Sequence, residues 1–205
     1  MFYFTAKFYT IIIHNFFSAF IWQFGIDFQK ISDLLSGYLN DIMIITDPVL
    51  LRSKASGRKK EFEWVANKLL RMKYGEADRL VHELHHNEFA EADCLKCANC
   101  CRTLGPRLTH ADIKRISDYL KTGTSEIFDE YVSVDEDKDY VFNMPCPFLG
   151  NDNHCVIYRA RPRACRNYPH TDQKSISKIL IICIKNTAVC PVVYNIFEKL
   201  SRDLR

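Results

Sequence analysis

Four cysteines fall within eight consecutive residues of this 205-residue chain, in the pattern Cys94-x2-Cys97-x2-Cys100-Cys101. A thiolate is a soft, charged ligand that binds zinc or iron strongly, and a Cys-x2-Cys pair can place two sulfurs on one ion. The remaining cysteines all follow downstream, at Cys146, Cys155, Cys165, Cys183 and Cys190. The spacing therefore predicts a metal centre in the second half of the chain.

Disulfide bonding is the first alternative for so many cysteines. Their number is odd, at nine, and the neighbours Cys100 and Cys101 are poorly placed to bond each other. With 47% hydrophobic residues, the chain can also form a buried core without disulfide bonds. We therefore expect free thiols that bind metal in a reducing compartment, and a cytoplasmic location.

Zinc and iron–sulfur ligation fit the cluster about equally well. Zinc takes four thiolates in a tetrahedron, and adjacent residues send their side chains in diverging directions, so downstream cysteines should complete one site or two. The triple spacing from Cys94 to Cys100 matches bacterial ferredoxins, in which a remote Cys-Pro supplies a further ligand. The chain offers two such pairs, Cys146-Pro147 and Cys190-Pro191. The residues alone leave the metal open.

An ordered series of motifs follows the cluster: Cys146-Pro147-Phe148-Leu149, Cys155-Val156-Ile157-Tyr158 and Arg161-Pro162-x2-Cys165-Arg166-x-Tyr168-Pro169. Together with the cluster, this series resembles the YkgJ-type family of cysteine-cluster proteins, whose CxxCxxCC domains are described as zinc- or iron-chelating. The resemblance covers about residues 76–200. It implies a set of metal ligands: Cys94, Cys97, Cys100, Cys101, Cys146, Cys155 and Cys165, with Cys190 as the eighth.

Cys183 lies outside that pattern. It sits in the apolar run Ile179-Leu180-Ile181-Ile182-Cys183-Ile184, which is typical of a buried strand. We therefore predict that Cys183 belongs to the core and binds no metal.

The resemblance implies metal binding but assigns no reaction and no catalytic residue. We expect a metal-binding protein that is not itself an enzyme. The alternative is an iron–sulfur redox protein or a cluster-dependent enzyme, because a related cysteine cluster occurs in flagellin lysine-N-methylases. Against protein lysine methylation, the chain has no glycine-rich nucleotide loop for a methyl donor.

The segment His82-Glu83-Leu84-His85-His86 satisfies the HExxH pattern of zinc proteases, in which two histidines bind zinc and the glutamate is the general base. The metzincin extension requires glycine and histidine where this chain has Phe89 and Ala92. A zinc protease is therefore a distant third hypothesis. We predict that these histidines are solvated on the polar face of a helix.

Charge indicates what else the chain could bind. With 28 basic and 25 acidic residues the net charge is only +3, which argues against a dedicated nucleic-acid binder. Four arginines flank Cys165, at Arg159, Arg161, Arg163 and Arg166. Because thiolates around a metal leave excess negative charge, we expect these arginines to neutralise it. The expected partner is a metal ion, and a protein is the second candidate.

The elements that must position the cysteines are mainly helical. Apolar residues at helical spacing predict helices over residues 59–73 and from Glu76 up to Cys94, after a loop at 52–57. Thr109 and Asp112 form a capping-box pattern that opens another helix, and Cys190-Pro191 opens the last one. Two short alternating runs, Val132–Val134 and Tyr140–Phe142, predict a hairpin. The expected fold is mainly α with a small β-hairpin, in a single cysteine-rich metal-binding domain.

Three segments differ in composition. Residues 1–42 form an apolar segment, and residues 1–28 alone hold eight of the fourteen phenylalanines. The segment 1–42 is either an extension upstream of a true translation start at Met43, a membrane-associated helix, or an ordinary packing element. A membrane partner is expected only if residues 1–28 are translated. Residues 43–93 are the helical lead-in, and residues 94–205 are the cysteine-cluster metal-binding region.

Overall fold

The computed structural model describes residues 45–205, so the expectations for residues 1–42 lie outside the described part of the chain. The first helix begins at a capped turn, where the Asp47 carboxylate accepts a hydrogen bond of 2.7 Å from the backbone N–H of Leu50. Pro48 follows at the first helical position, where its missing N–H costs nothing. The helix runs through the segment predicted to be a loop, so that prediction is wrong. The cap and the burial of Leu51 and Ala55 outweigh the low helix propensity of serine and glycine.

The helices and strands follow one another along the chain with short connections. They are α1 Pro48–Gly57, α2 Lys59–Leu70, α3 Glu76–Glu91, α4 Cys94–Cys97, α5 Asn99–Thr103, α6 His110–Leu120, α7 Thr124–Tyr131, β1 Val132–Val134, β2 Tyr140–Phe142, α8 Arg163–Asn167, α9 Leu180–Asn186 and α10 Pro191–Asp203. Single 3-10 turns occupy Tyr158–Ala160 and Ile176–Lys178.

A first core joins α1, α2 and α3 to α9 and α10 at the end of the chain. Phe62 of α2 and Phe197 of α10 meet edge to face, with ring centroids 5.5 Å apart. Glu88 of α3 is only 6% exposed and accepts a 3.0 Å hydrogen bond from the amide of Asn195 on α10. It is also paired with Lys199. This buried polar contact fixes how α10 lies on α3.

A second core is formed by the segment between the cysteine cluster and Cys165. Its buried side chains are Leu108, Ile113, Ile116, Ile127, Phe142, Phe148, Ile157 and Ala160. The hairpin pairs β1 with β2 in antiparallel register, with Val132 opposite Phe142. Among the described residues, the two cores have no buried side chain in common.

Cys183 is 0% exposed and lies in the first core, which confirms that it is a core residue. The element around it was predicted wrongly, because residues 180–186 form helix α9 and not a strand. Leu180 and Cys183 face inward while Ile181 and Ile182 are exposed, which is helical spacing. A strand here would need a partner strand, and in the described region the only sheet is the β1–β2 hairpin.

The predicted fold class is confirmed: the described chain is mainly α-helical with one two-stranded hairpin. None of its helices is by itself long and apolar enough to cross a membrane. One pair, α9 with α10, meets that criterion only when its two members are taken together, and they are bent by 114°.

Candidate metal centre

The cysteine cluster forms two very short helices, α4 and α5, which meet at Ala98. The Asp93 carboxylate caps the first by accepting a 3.0 Å hydrogen bond from the backbone N–H of Leu95. The N–H of Ala98 donates to the carbonyl of Cys94 at 2.8 Å, and Ala98 adopts the left-handed conformation, with φ at 47°. This conformation is unusual for alanine and reverses the chain between Cys97 and Cys100.

Two downstream segments return to this cluster, one at Cys101 and the other at Asn99. The backbone N–H of Cys146 donates to the carbonyl of Cys101 at 3.0 Å. The side-chain amide of Asn99, which is 2% exposed, donates to the carbonyl of Val189 at 2.8 Å. Val189 precedes Cys190, so this bond brings the segment of Cys190 to the cluster. Segments whose cysteines are 45 to 90 positions apart in the sequence are thus brought together by one backbone and one side-chain hydrogen bond.

The turn between Cys146 and Cys155 is fastened to the cluster through Asn153. Its side-chain amide donates to the carbonyl of Leu95 and accepts a hydrogen bond from Arg102. Arg102 also donates to the carbonyl of Cys97 at 2.8 Å. Within the turn, Leu149 and Cys155 form an isolated antiparallel bridge. These contacts place Cys155 on the same side of the cysteine cluster as Cys146.

Cys165 is positioned by Asp112, which is 2% exposed near the start of α6. The predicted capping box is confirmed, because Thr109 and Asp112 hydrogen-bond each other reciprocally. The same carboxylate accepts a 2.9 Å hydrogen bond from the backbone N–H of Arg163, which begins α8. It also pairs with Arg115, which donates to the carbonyl of Arg161 at 2.8 Å. The segment that carries Cys165 is therefore tied to the second core.

The ionisation of Asp112 reflects these contacts. Burial opposes its negative charge, but hydrogen bonds from Thr109, Arg115 and the backbone N–H of Arg163 outweigh that effect and lower its pKa to about 2. The sequence predicted a helix cap at this position. It gave no sign that the cap would also hold a cysteine segment fifty residues away.

The predicted ligands are partly accessible: Cys94 is exposed and the other seven are half-buried. Burial raises the pKa of Cys190 to about 12, and the nearby thiols of Cys94 and Cys97 add to the increase. Burial likewise raises the pKa of Cys165 to about 12, here with contributions from Cys146, Cys101 and Cys155. Because these thiols are close enough to raise one another's pKa, a bound cation would deprotonate them together.

The neighbours Cys100 and Cys101 behave differently from each other. Their sulfurs lie 4.0 Å apart. The hydrogen bond between them raises the pKa of Cys100 and lowers that of Cys101, and the nearby guanidinium groups of Arg161 and Arg102 lower the latter further. Burial raises the pKa values of Cys94, Cys155 and Cys165, and the charge of Arg161 offsets part of that increase. The charge of Arg161, one of the four arginines predicted to neutralise the cysteines, thus acts on them.

Across residues 45–205, no three histidine, cysteine, aspartate or glutamate side chains already converge in a metal-binding arrangement. What the structure does provide is the donor set, with eight thiols on segments that hydrogen bonds hold side by side. Soft sulfur donors in this number fit zinc or iron and would not suit calcium or magnesium, which take oxygen ligands.

Tyr168 belongs to the motif that ends at Pro169, and the sequence predicted no role for it. Its hydroxyl is buried and has no hydrogen-bond partner among the described residues. Burial raises its pKa, and the thiols of Cys190, Cys100, Cys97 and Cys94 raise it further. A buried hydroxyl without a partner, close enough to these thiols to be affected by their charge, is a donor that a metal-bound sulfur could accept from.

The HExxH segment lies on α3 and does not form a metal site. Nε2 of His82 lies 3.0 Å from the carbonyl of Gln173, and Nδ1 of His85 lies 2.7 Å from the hydroxyl of Thr171. Glu83 and His86 are exposed, as predicted for solvated side chains. The prediction is wrong for His82 and His85, which are half-buried and bind the loop that precedes α9, an arrangement that only the tertiary fold creates.

Comparison with known proteins bears on the cluster directly. Residues 93–184 match the CxxCxxCC family, described as "Putative zinc- or iron-chelating domain". An uncharacterized protein of Methanocaldococcus jannaschii is 32% identical over 94 residues, which cover 43% of this chain. The matched part spans about half the length of that curated relative, at 50%. No solved structure matches. Cys190 lies beyond the matched residues, so its place beside the cluster is known from the structure. The segment 93–184 is thus similar to a CxxCxxCC domain, the cysteine-rich type described as zinc- or iron-chelating.

Proposed function

We propose that this chain is a metal-binding protein in which eight cysteines hold zinc or iron as thiolates. The eight are Cys94, Cys97, Cys100, Cys101, Cys146, Cys155, Cys165 and Cys190. The observation that carries the proposal is the return of the downstream segments to the cluster, through the hydrogen bonds from Cys146 to Cys101 and from Asn99 to Val189.

The bound metal would hold the two cores together. The cluster lies between the cores along the chain, Cys190 packs on the first core, and Cys146 and Cys155 pack on the second. Structural zinc contributes on the order of 10–16 kcal/mol of apparent binding free energy, which is enough to decide whether loop-rich segments fold. A structural role needs no catalytic residue, and it explains why the ligands come from both cores. Thiolate ligands also require reducing conditions, which supports a cytoplasmic location.

Metal analysis of anaerobically purified protein tests the proposal. We expect stoichiometric zinc or iron, lost together with the folded state when a strong chelator is added. Zinc with a colourless solution identifies a structural ion, whereas iron with acid-labile sulfide and visible absorption identifies an iron–sulfur centre. Cys146→Ser should reduce the metal content, and Cys183→Ala, a change of a core cysteine, should not. A folded protein without bound metal, or equal metal content in both variants, would overturn the proposal.

A further inference from the structure

The segment 156–163, which lies between two of the predicted ligands, is attached to helix α6 at both of its ends. At one end, the Asp112 carboxylate accepts a 2.9 Å hydrogen bond from the backbone N–H of Arg163. At the other end, the hydroxyl of Tyr119 lies 3.5 Å from the carbonyl oxygen of Val156. The segment is therefore held against the outside of the second core, to which α6 contributes buried side chains.

The middle of the segment is attached to the same face of α6. Arg115 donates hydrogen bonds to the carbonyls of Ala160, at 3.3 Å, and Arg161, at 2.8 Å. Because Asp112, Arg115 and Tyr119 are spaced by three and four positions, they share one face of the helix. Their partners follow in the reverse order along the chain, so the segment runs antiparallel to α6. At 1.5 Å per helical residue, this contact is about 10 Å long.

Large side chains remain exposed along this contact. Val156 is 60% exposed, Tyr158 is 61% exposed and Tyr119 is 46% exposed. The ring of Tyr158 is held in place by Arg161, whose guanidinium carbon lies 3.7 Å from the ring centroid and whose Nε donates to the Tyr158 carbonyl at 3.2 Å. The segment thus presents aromatic and aliphatic surface on a support that hydrogen bonds keep in position.

Positive charge without a carboxylate partner lies beside this apolar surface. Arg159, Arg163 and Arg166 are exposed, and none of their side chains forms an ion pair with a described residue. The sequence has no aspartate or glutamate between Asp152 and Asp172. The two aspartates of α6 do not compensate, because each is paired with a cation of its own helix. The exposed guanidinium groups are therefore available to an external anion.

We propose that this surface binds an acidic segment of a partner protein in an extended conformation. The surface, called the Tyr–Arg face, consists of Tyr119, Val156, Tyr158, Arg159 and Arg163. Its length of about 10 Å matches about three residues of extended chain at 3.3 Å each. Carboxylates of the partner pair with Arg159 and Arg163, and an apolar side chain between them packs on the two tyrosines. This binding is a function beyond metal binding and needs no ligand from the cysteine cluster.

The composition of the face favours a protein over a nucleic acid as the partner. Tyrosine and arginine are enriched in the centres of protein interfaces, whereas lysine is depleted there. Residues 153–171 contain four arginines and two tyrosines but no lysine. A nucleic-acid binder relies on a large excess of positive charge, and the net charge of this chain is only +3.

The test is fluorescence anisotropy of a fluorescein-labelled peptide in which four glutamates surround one tryptophan, added to the full reduced chain at low salt. We expect the wild type to bind the peptide and binding to weaken as salt is added. Arg159→Gln combined with Arg163→Gln should weaken binding by about tenfold, because it removes both charges that face the carboxylates. Tyr119→Ala should also weaken it, by removing part of the apolar surface.

Matched control variants change the same residue types elsewhere. Arg52→Gln combined with Lys60→Gln removes two exposed charges from α1 and α2 and should leave peptide binding unchanged. Tyr74→Ala, a change of a fully exposed tyrosine between α2 and α3, should also leave it unchanged. All of these variants should keep the metal content and the circular dichroism spectrum of the wild type, which shows that a loss of binding is not a loss of folding.

The remaining outcomes would overturn the proposal. Absence of peptide binding to the wild type, or equal losses in the face variants and their controls, would refute it and leave metal binding unaffected. Tighter binding of a deoxythymidine hexamer than of the peptide, with the same losses, would assign the face to single-stranded nucleic acid. Self-association that the double arginine variant abolishes would identify a second copy of this chain as the partner.

Discussion

Asp112 offers the sharpest test of how the structure positions a ligand. Replacing it by asparagine keeps the shape of the side chain but removes the charge that Arg115 and the N–H of Arg163 contact. The pKa of Asp112 falls from 3.8 to about 2, and each unit corresponds to about 1.36 kcal/mol, so we expect Asp112→Asn to lose about 2 kcal/mol of stability.

The sign of this effect fixes its pH dependence. A carboxylate whose folded pKa is depressed stabilises the fold above its unfolded pKa, and this stabilisation disappears as the pH falls through about 2. Between about pH 5 and pH 8 the carboxylate is ionised in both states, so the difference between variant and wild type should be constant there. Urea unfolding of zinc-loaded protein, followed by circular dichroism, measures this difference in the free energy of unfolding.

The control for this experiment lies on the same helix. Asp118 is exposed and, among the residues that the structure describes, pairs only with Lys114, so Asp118→Asn should leave the unfolding midpoint almost unchanged. Metal binding adds a second measurement. Because Asp112 holds the segment that carries Cys165, Asp112→Asn should weaken metal binding, whereas Asp118→Asn should not. Equal stability of Asp112→Asn and Asp118→Asn would refute the role assigned to Asp112.

Four further predictions concern two residues near the cysteine cluster and two residues of helix α3. Tyr168→Phe should weaken metal binding by about tenfold if the hydroxyl donates to a bound thiolate; competition with a chelator measures it, and unchanged affinity would show that the hydroxyl has no such role. Arg161→Gln should weaken metal binding in a calorimetric titration, because the charge of Arg161 acts on Cys94 and Cys101, and Arg159→Gln, a change of a nearby exposed arginine, should not; equal losses in both variants would contradict a counter-ion role for Arg161. Glu88→Gln removes the charge that Lys199 contacts and should destabilise the fold by on the order of 1–2 kcal/mol in thermal unfolding, with metal content unchanged. Glu83→Gln should leave metal content, stability and peptide hydrolysis at wild-type levels, and a hydrolytic activity lost in this variant would revive the protease hypothesis.

The parts of the fold that depend on local signals could be predicted from the sequence. The capping box at Thr109 and the hairpin at Val132 are encoded within a few residues and were predicted correctly. The loop predicted at residues 52–57 is a helix, because its low propensity is outweighed by a cap outside the segment and by burial against distant helices. Cys183 was correctly placed in the core from its apolar neighbours, yet its helix could not be distinguished from a strand without knowledge of partner strands.

In the candidate site, too, local features could be predicted from the sequence and contacts between distant residues could not. Spacing within Cys94–Cys101 indicated metal ligation, but the sequence could not show which distant cysteine each of the four would meet. That information is carried by single hydrogen bonds, such as those from Asn99 and Cys146, between residues far apart in the chain. The part played by Asp112 was hidden for the same reason, since a residue that caps its own helix gives no local sign of a second partner.

The lack of a shared buried side chain between the two cores has a consequence for folding cooperativity. Among the described residues, hydrogen bonds from Asn99 and Cys146 connect the cluster to segments that pack on different cores. If cysteines from both cores bind metal, as the proposed function requires, the metal would make the two cores melt as one unit in a calorimeter. Removal of the metal would then let one core melt before the other, so metal occupancy would control how much of the chain stays folded.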